Sequence, residues 1–313
     1  VDLPNSPEGE TYKDKVTIKA YPGIEKGGVI WAYMGPLDRK PPLPQLGFMD
    51  VPASHRYVWR MELECNYFQS MEGDIDSSHV NFLHSVLGDA TSNPTVRHRG
   101  NNPADVAGTV PQYVHVKDTE YGVGQVTVVK RADGTQTVNT GNWLMPCFTL
   151  GSRAEGVGQQ NIRVPIDDEH TYHIAYNCYA APNGVEAPKQ DSVPYYDVPV
   201  WDKDGKPILD CILNQDFVGW WSQGPLTDRT AENLGRTDIP VVFLRRQLEA
   251  QIKIVEDGGE GMNVFRDAAK AALVMAPLEQ IKFGMRRPRK YIPGESGYSK
   301  DADKINQVIQ TWH

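Results

Sequence analysis

Cysteine is scarce in this chain. The 313 residues hold four, Cys65, Cys147, Cys178 and Cys211, the nearest two 31 positions apart. No CxxC pair exists, which excludes a zinc knuckle or a disulfide framework and leaves the thiols as small buried hydrophobes of a reducing compartment. Positive charge is also in deficit, with 32 Lys and Arg against 40 Asp and Glu and a net charge of -8. Nucleic acid is therefore excluded as the main partner, because phosphate binding needs a basic face. The one basic cluster, "FGMRRPRKYIPG", reads as a solvated or interface loop. No window of 18 apolar residues exists, and the opening "VDLPNSPEGETYKDK" lacks the charged-then-apolar order of a secretory signal. A cytoplasmic protein with no membrane partner is expected, and a start at Val1 suggests that the chain continues something upstream.

What is present is a globular composition, 40% hydrophobic and 23% charged, long enough for one large domain or two ordinary ones. "KVTIKAYPGI" and "GGVIWAYMGP" read as a hairpin turning at "EKGG", and "LDRKPPLPQLG" has the proline density of a linker. Residues 1–40 are thus set apart from residues 41–313. "HRYVWRMELEC" alternates as a strand. From Asn66 the spacing turns helical through Phe68, Met71, Ile75, Val80 and Leu83, weakened at Gly73. Residues 110–185 form an antiparallel meander with one sheet face buried, turning at Asp133-Gly134 and again in "VPIDDEHTYHI". The last third is helical. "LDCILNQDFVGWWSQG" stops at Gly224-Pro225, and "TDIPVVFLRRQLEAQIKIVEDGG" has Asp238 as cap, Pro240 in its first turn and Gly258 after its end. The class is α+β, with helices laid on an antiparallel sheet.

The chemistry concentrates in "EGDIDSSHVNFLHS", residues 72–85. Asp76 and His79 share a helix face. His84 lies five positions further, about 140° round an ideal helix, so the two imidazoles meet only across a π-bulge or an unwound turn. HExxH is absent, against a zinc-protease site. The histidines could instead be buried structural residues and Asp76 an ordinary helix cap. With one distant carboxylate, however, two imidazoles make a facial triad that leaves open positions on Fe(II).

"CNYFQSMEGDIDSSHVNFLH" resembles the mononuclear-iron motif of Rieske non-haem iron oxygenases, most closely the branch of phthalate 4,5-dioxygenase and the aryl-ether O-demethylases. The likeness continues in "KDKVTIKAYPGIEKGGVIWAYMGP", "VPIDDEHTY" and "NQDFVGWWSQGPLTDRTAENLGRTD". It implies a helix-grip-like catalytic domain over residues 41–313, its large antiparallel sheet covered by helices, with residues 1–40 the end of a Rieske domain plus linker. His79 and His84 become iron ligands. Asp216 becomes the third, with Asp210 and Asp228 as rivals, and Asp76 the aspartate that relays to a Rieske cluster on a neighbouring subunit. Asn66 and Gln69 are expected to hydrogen-bond near the metal. A Rieske 2Fe-2S cluster needs CxH and CxxH ligand pairs, which this chain lacks, so the cluster is expected upstream.

The resemblance further implies electrons from NAD(P)H through a reductase, with or without a ferredoxin, and O2 as co-substrate. An aromatic carboxylate would undergo cis-dihydroxylation or O-demethylation in a trimer or a hexamer of stacked trimers. Arg163, on a strand facing the cavity, is the expected carboxylate anchor, with Arg153 and Arg131 as the other candidates. Two further readings are a non-catalytic helix-grip module binding an apolar aromatic ligand, and a zinc hydrolase using the same ligands.

Overall fold

The computed structural model describes residues 15–84, 111–130, 134, 136–153, 157–179, 189, 191–209, 212–272 and 274. The basic cluster, Arg131, Asp210 and Cys211 lie outside the described residues. The hairpin forms as a separate two-stranded sheet, β1 (Gly23–Lys26) against β2 (Val29–Ala32). Gly27 and Gly28 turn it with φ of 67° and 72°. A two-residue turn with both φ values positive matches the twist of the strands, and glycine adopts it without steric cost. Trp31 carries the hairpin onto the body of the molecule, stacking on Phe148 with centroids 6.2 Å apart.

Eight strands make the main sheet: β3 (Arg56–Leu63), β4 (Pro111–Thr119), β5 (Gly122–Lys130), β6 (Gln136–Leu144), β7 (Phe148–Arg153), β8 (Val157–Pro165), β9 (Thr171–Tyr179) and β10 (Tyr195–Asp197). Their order is β10-β3-β9-β8-β7-β6-β5-β4. All neighbours are antiparallel except β10, which runs parallel to β3. The helices are α1 (Tyr67–Ile75), α2 (Val80–Leu83), α3 (Ile212–Trp221), α4 (Ile239–Glu256) and α5 (Ala268–Ala271). Asp238 stands at the start of α4, but its carboxylate accepts from Gly235 N at 2.6 Å and caps the preceding turn instead.

Strand alternation sorts the side chains into two layers. On one face Tyr57, Trp59, Met61 and Ala175 pack against Leu213, Phe217 and Trp220 of α3. Further along that face Val123, Trp143 and Met145 meet Phe68, Met71 and Ile75 of α1 and Val241 and Leu244 of α4. The other face is not bare, as simple alternation had suggested. Val58, Ile162, Tyr176 and Cys178 are buried beneath Leu46, Phe48 and Met49. Burial pushes the thiols of Cys65 and Cys178 up to about 12, so they serve as packing.

Two contacts set the tilt of α1. Glu72 accepts from Arg229 at 3.0 Å and from Arg245 at 2.6 Å, which ties α1 to α4. Gly73 lets the Trp220 indole close on the helix, since a Cβ there would lie 1.9 Å from Trp220 Nε1. Alanine is ordinarily the better helix former, but here the overlap should win. Gly73→Ala is expected to cost about 1–3 kcal/mol, measured as a lower urea midpoint.

Candidate metal centre

The site grows from a broken helix. Asn66 Oδ1 caps α1 by accepting from Phe68 N at 2.9 Å, and α1 runs to Asp76, whose N donates to Glu72 O. There the carboxylate of Asp76 takes over the backbone. It accepts from Ser78 N at 2.7 Å and His79 N at 3.2 Å, which unwinds one turn and starts α2. The break cancels the angular offset between the two histidines. Their rings come edge to face, centroids 5.4 Å apart.

Asp216 arrives from α3. Its Oδ1 lies 3.3 Å from His79 Nε2 and 3.1 Å from His84 Nε2. One ligand atom from each residue lies within 4.8 Å of the other two. Both rings are held from behind: His79 Nδ1 faces Asp76 Oδ2 at 3.3 Å, and His84 Nδ1 meets Gln215 Oε1 at 2.8 Å. Gln215 donates its own Nε2 to Leu209 O at 3.1 Å, so its oxygen is what faces His84. That contact holds the back of the His84 ring and turns Nε2 toward Asp216, the arrangement a metal-ligating imidazole needs.

Electrostatics calls for a cation at the same point. Burial would lower the His79 pKa, but the carboxylates of Asp216 and Asp76 outweigh it and raise it to about 10. Burial would likewise raise Asp216, yet His79 and His84 hold it well below the usual carboxylate range. Asp216 Oδ1 is buried and accepts no well-aligned hydrogen bond, despite the two nitrogens near it. Donors gathered at about 2.1 Å on one ion, roughly at right angles, stand about 3 Å apart, so the spacing fits a shared metal. Two imidazoles and one carboxylate with open positions suit ferrous iron.

The remaining expected residues lie away from this cluster. Asp228 is exposed and engages Thr230. Asn66 is spent as the cap and donates to Asp168 O. Gln69 donates to the carbonyls of Trp220 and Gly224 and accepts from Thr227 N, locking α1 to the end of α3. It positions the helix that bears Asp216 without touching the ligands. Arg163 corrects an expectation. It is fully buried, and its five N–H groups go to Ser70 Oγ and O, Thr149 Oγ1, Met71 Sδ and Asp74 Oδ2. No donor remains to fork a substrate carboxylate, and the side chain pins α1 to β8. Arg153 stands at the end of β7.

Gln215 was not foreseen from the sequence. Its signal is slight, an amide directly before the ligand acid. Gln215→Leu is expected to weaken Fe(II) binding about 10- to 100-fold, read by competition with a chelator, with Gln215→Glu restoring part of the affinity.

Residues 32–193 and 205–279 match the family model described as LigXa C-terminal domain like. The chain belongs to this family. It is 33% identical over 265 residues to the 5,5'-dehydrodivanillate O-demethylase oxygenase subunit of Sphingobium sp. (strain NBRC 103272 / SYK-6), covering 84% of this chain and 59% of that protein. It is 28% identical to the 3-chlorobenzoate-3,4-dioxygenase oxygenase subunit of Comamonas testosteroni, covering 83% of this chain and 67% of that one. The phthalate 4,5-dioxygenase oxygenase subunit of Pseudomonas putida is also 28% identical, covering 79% and 62%. The chain thus spans about three fifths to two thirds of these relatives' length. Among solved structures, the terminal oxygenase of carbazole 1,9a-dioxygenase from Nocardioides aromaticivorans IC177 aligns with a TM-score of 0.47 at 18% identity, covering 83% of this chain and 72% of that one. The resemblance drawn from the iron motif, to oxygenase subunits of Rieske non-haem iron enzymes, holds at the level of family. Among the described residues no helix is long and apolar enough to cross a membrane.

Proposed function

We propose that this chain is the catalytic part of an oxygenase subunit, holding one mononuclear Fe(II) through His79, His84 and Asp216 for the oxidation of aromatic substrates. The observation that carries the reading is the buried, unsatisfied Asp216 Oδ1 facing two imidazole nitrogens whose backs are already held. A bound ferrous ion would supply the O2 chemistry of ring cis-dihydroxylation or O-demethylation. The protein's part is to hold three donors on one side and, before an ion enters, to balance the two carboxylates with a proton on His79. That proton must leave on binding, so iron uptake should release it.

Residues 1–40 are then the end of a Rieske unit whose 2Fe-2S cluster lies upstream. Electrons would come from NAD(P)H through a reductase or ferredoxin and cross between subunits of a trimer, or of a hexamer of stacked trimers. Asp76 is the relay. What supports that role is its position, with one oxygen 3.3 Å from the back of His79 and a side chain 26% exposed. The relatives named for phthalate, chlorobenzoate and dehydrodivanillate support an aromatic carboxylate as substrate.

The test is anaerobic reconstitution of the full-length subunit with Fe(II), followed by turnover with a surrogate reductase. One iron per mononuclear centre and product formation that needs both O2 and reductase are expected. Tight zinc with hydrolysis independent of O2 would point to a hydrolase instead. Ligand binding with no stoichiometric metal would point to a binding module.

A further inference from the structure

We infer that Gln159 and Asn161, neighbours on the helix-facing side of β8, form a neutral polar subsite that takes a hydroxyl group of the aromatic substrate. The inference rests on the proposed function only for the substrate's being aromatic. Strand alternation places residues 159, 161 and 163 on one face, and the hydrogen bonds of Asn161 and Arg163 to Asp74 of α1 identify it as the face under the helices. Asn161 Nδ2 donates to Asp74 Oδ2 at 3.1 Å, which fixes the amide's orientation and leaves Oδ1 buried with no partner. Gln159 is 3% exposed, and its Nε2 also has no partner. Leaving such groups unpaired is costly, so a ligand that pairs them should bind about tenfold or more tightly than one that does not.

The register of the sheet sets what stands beside them. Across the sheet the rung through Gln159 reads Gln125, Gly141, Gly151, Gln159, Asn177. The Trp143 indole covers Gly141, since a Cβ there would come within 2.6 Å of it, while Gly151 adds no side chain next to Gln159. β5 and β8 are each tied to the metal-bearing segment. Gln125 Nε2 donates to Ile75 O at 3.0 Å, one residue before Asp76, and Asn161 grips Asp74. Asp216 comes from α3, which packs over β3 and β9.

The two free atoms differ in kind, and that selects the ligand. Gln159 Nε2 donates and Asn161 Oδ1 accepts, and a hydroxyl can do both at once. A carboxylate cannot donate to Asn161 Oδ1 and would sit close to the Asp74 carboxylate, whose countercharge Arg163 is fully committed. Any carboxylate on the substrate therefore points elsewhere, and the hydroxyl end lies on β8.

Anaerobic calorimetry on the iron-loaded full-length subunit would compare 4-hydroxy-3-methoxybenzoate with 3-methoxybenzoate and 3,4-dimethoxybenzoate. The hydroxylated acid is expected to bind about tenfold or more tightly than either. Gln159→Leu should close that gap while leaving 3-methoxybenzoate binding and iron content unchanged. Should that variant not fold, Gln159→Met makes the same comparison, and the wild-type gap is itself decisive. Equal affinities in the wild type, no measurable binding of the hydroxylated acid, or a gap that survives at position 159 would each overturn the subsite. Failure of the iron reading shows differently, as a protein without metal that still prefers the hydroxyl.

Discussion

Asp216→Ala is expected to leave a folded subunit without stoichiometric iron, with O2-dependent product formation reduced by more than about 100-fold. Partners that merely hold a ligand cost about 10- to 100-fold when removed, and Asp216 is itself one of three donors, so its loss should exceed that range. The fold should tolerate the change because His79, left without Asp216, can shed its proton and does not stay buried as an unpaired charge. Asp216→Asn keeps the shape and removes the charge, and should lose iron as well. In both variants His79 loses its strongest support, so its pKa drops from about 10 toward the ordinary imidazole value. Iron per chain, product per NADH consumed and a thermal melt check the set. Asp228→Ala is the control, since Asp228 is exposed and its carboxylate accepts from Thr230 N and Oγ1. A stoichiometric, active Asp216→Ala protein would remove the ground for an iron oxygenase.

Much of this was legible because the signals are local. β5 and β6 pair antiparallel as far as Lys130 and Gln136, on either side of the Asp133-Gly134 signal, and β4 to β9 follow one another across the sheet in chain order. The place of β3 beside β9 is a long-range pairing, and β10 has only three residues, so neither leaves a periodic trace. The His79–His84 spacing demanded a broken helix. What breaks it is the ordinary capping chemistry of Asp76, so the bland reading of that residue and the functional one describe the same atoms. Asp216 was legible only through resemblance, because its 132-residue separation from His84 carries no pattern. Arg163 shows where alternation stops being informative. The strand reading put Arg163 in the sheet, but periodicity could not put it opposite Ser70 and Asp74, which are one helical turn apart on α1.

That pairing makes Arg163→Met the substitution with the largest expected effect on stability, about 3–5 kcal/mol, because it strands the buried carboxylate of Asp74. Burial alone would raise the pKa of Asp74, and Arg163 reverses this and holds it below the usual carboxylate value. The sign of the pH dependence follows. In the wild type the folded pKa is the lower one, so the pair's stabilisation is present above the ordinary value near 4 and is lost as pH falls through the folded pKa. Without the guanidinium, burial and lost hydrogen bonds put the folded pKa above the unfolded one. The variant should then regain stability on mild acidification, as Asp74 takes up a proton. Urea titrations of both proteins at pH 7 and pH 5 measure the difference, which should narrow at the lower pH. The double variant Arg163→Met/Asp74→Leu should recover most of the loss, since a buried ion pair replaced by apolar groups of similar volume is often neutral. Iron affinity separates the two roles of α1: the pin sits two residues before Asp76, so Arg163→Met should also weaken iron binding in the folded protein, and the double variant, which restores packing but not the hydrogen bonds, should recover stability before it recovers affinity.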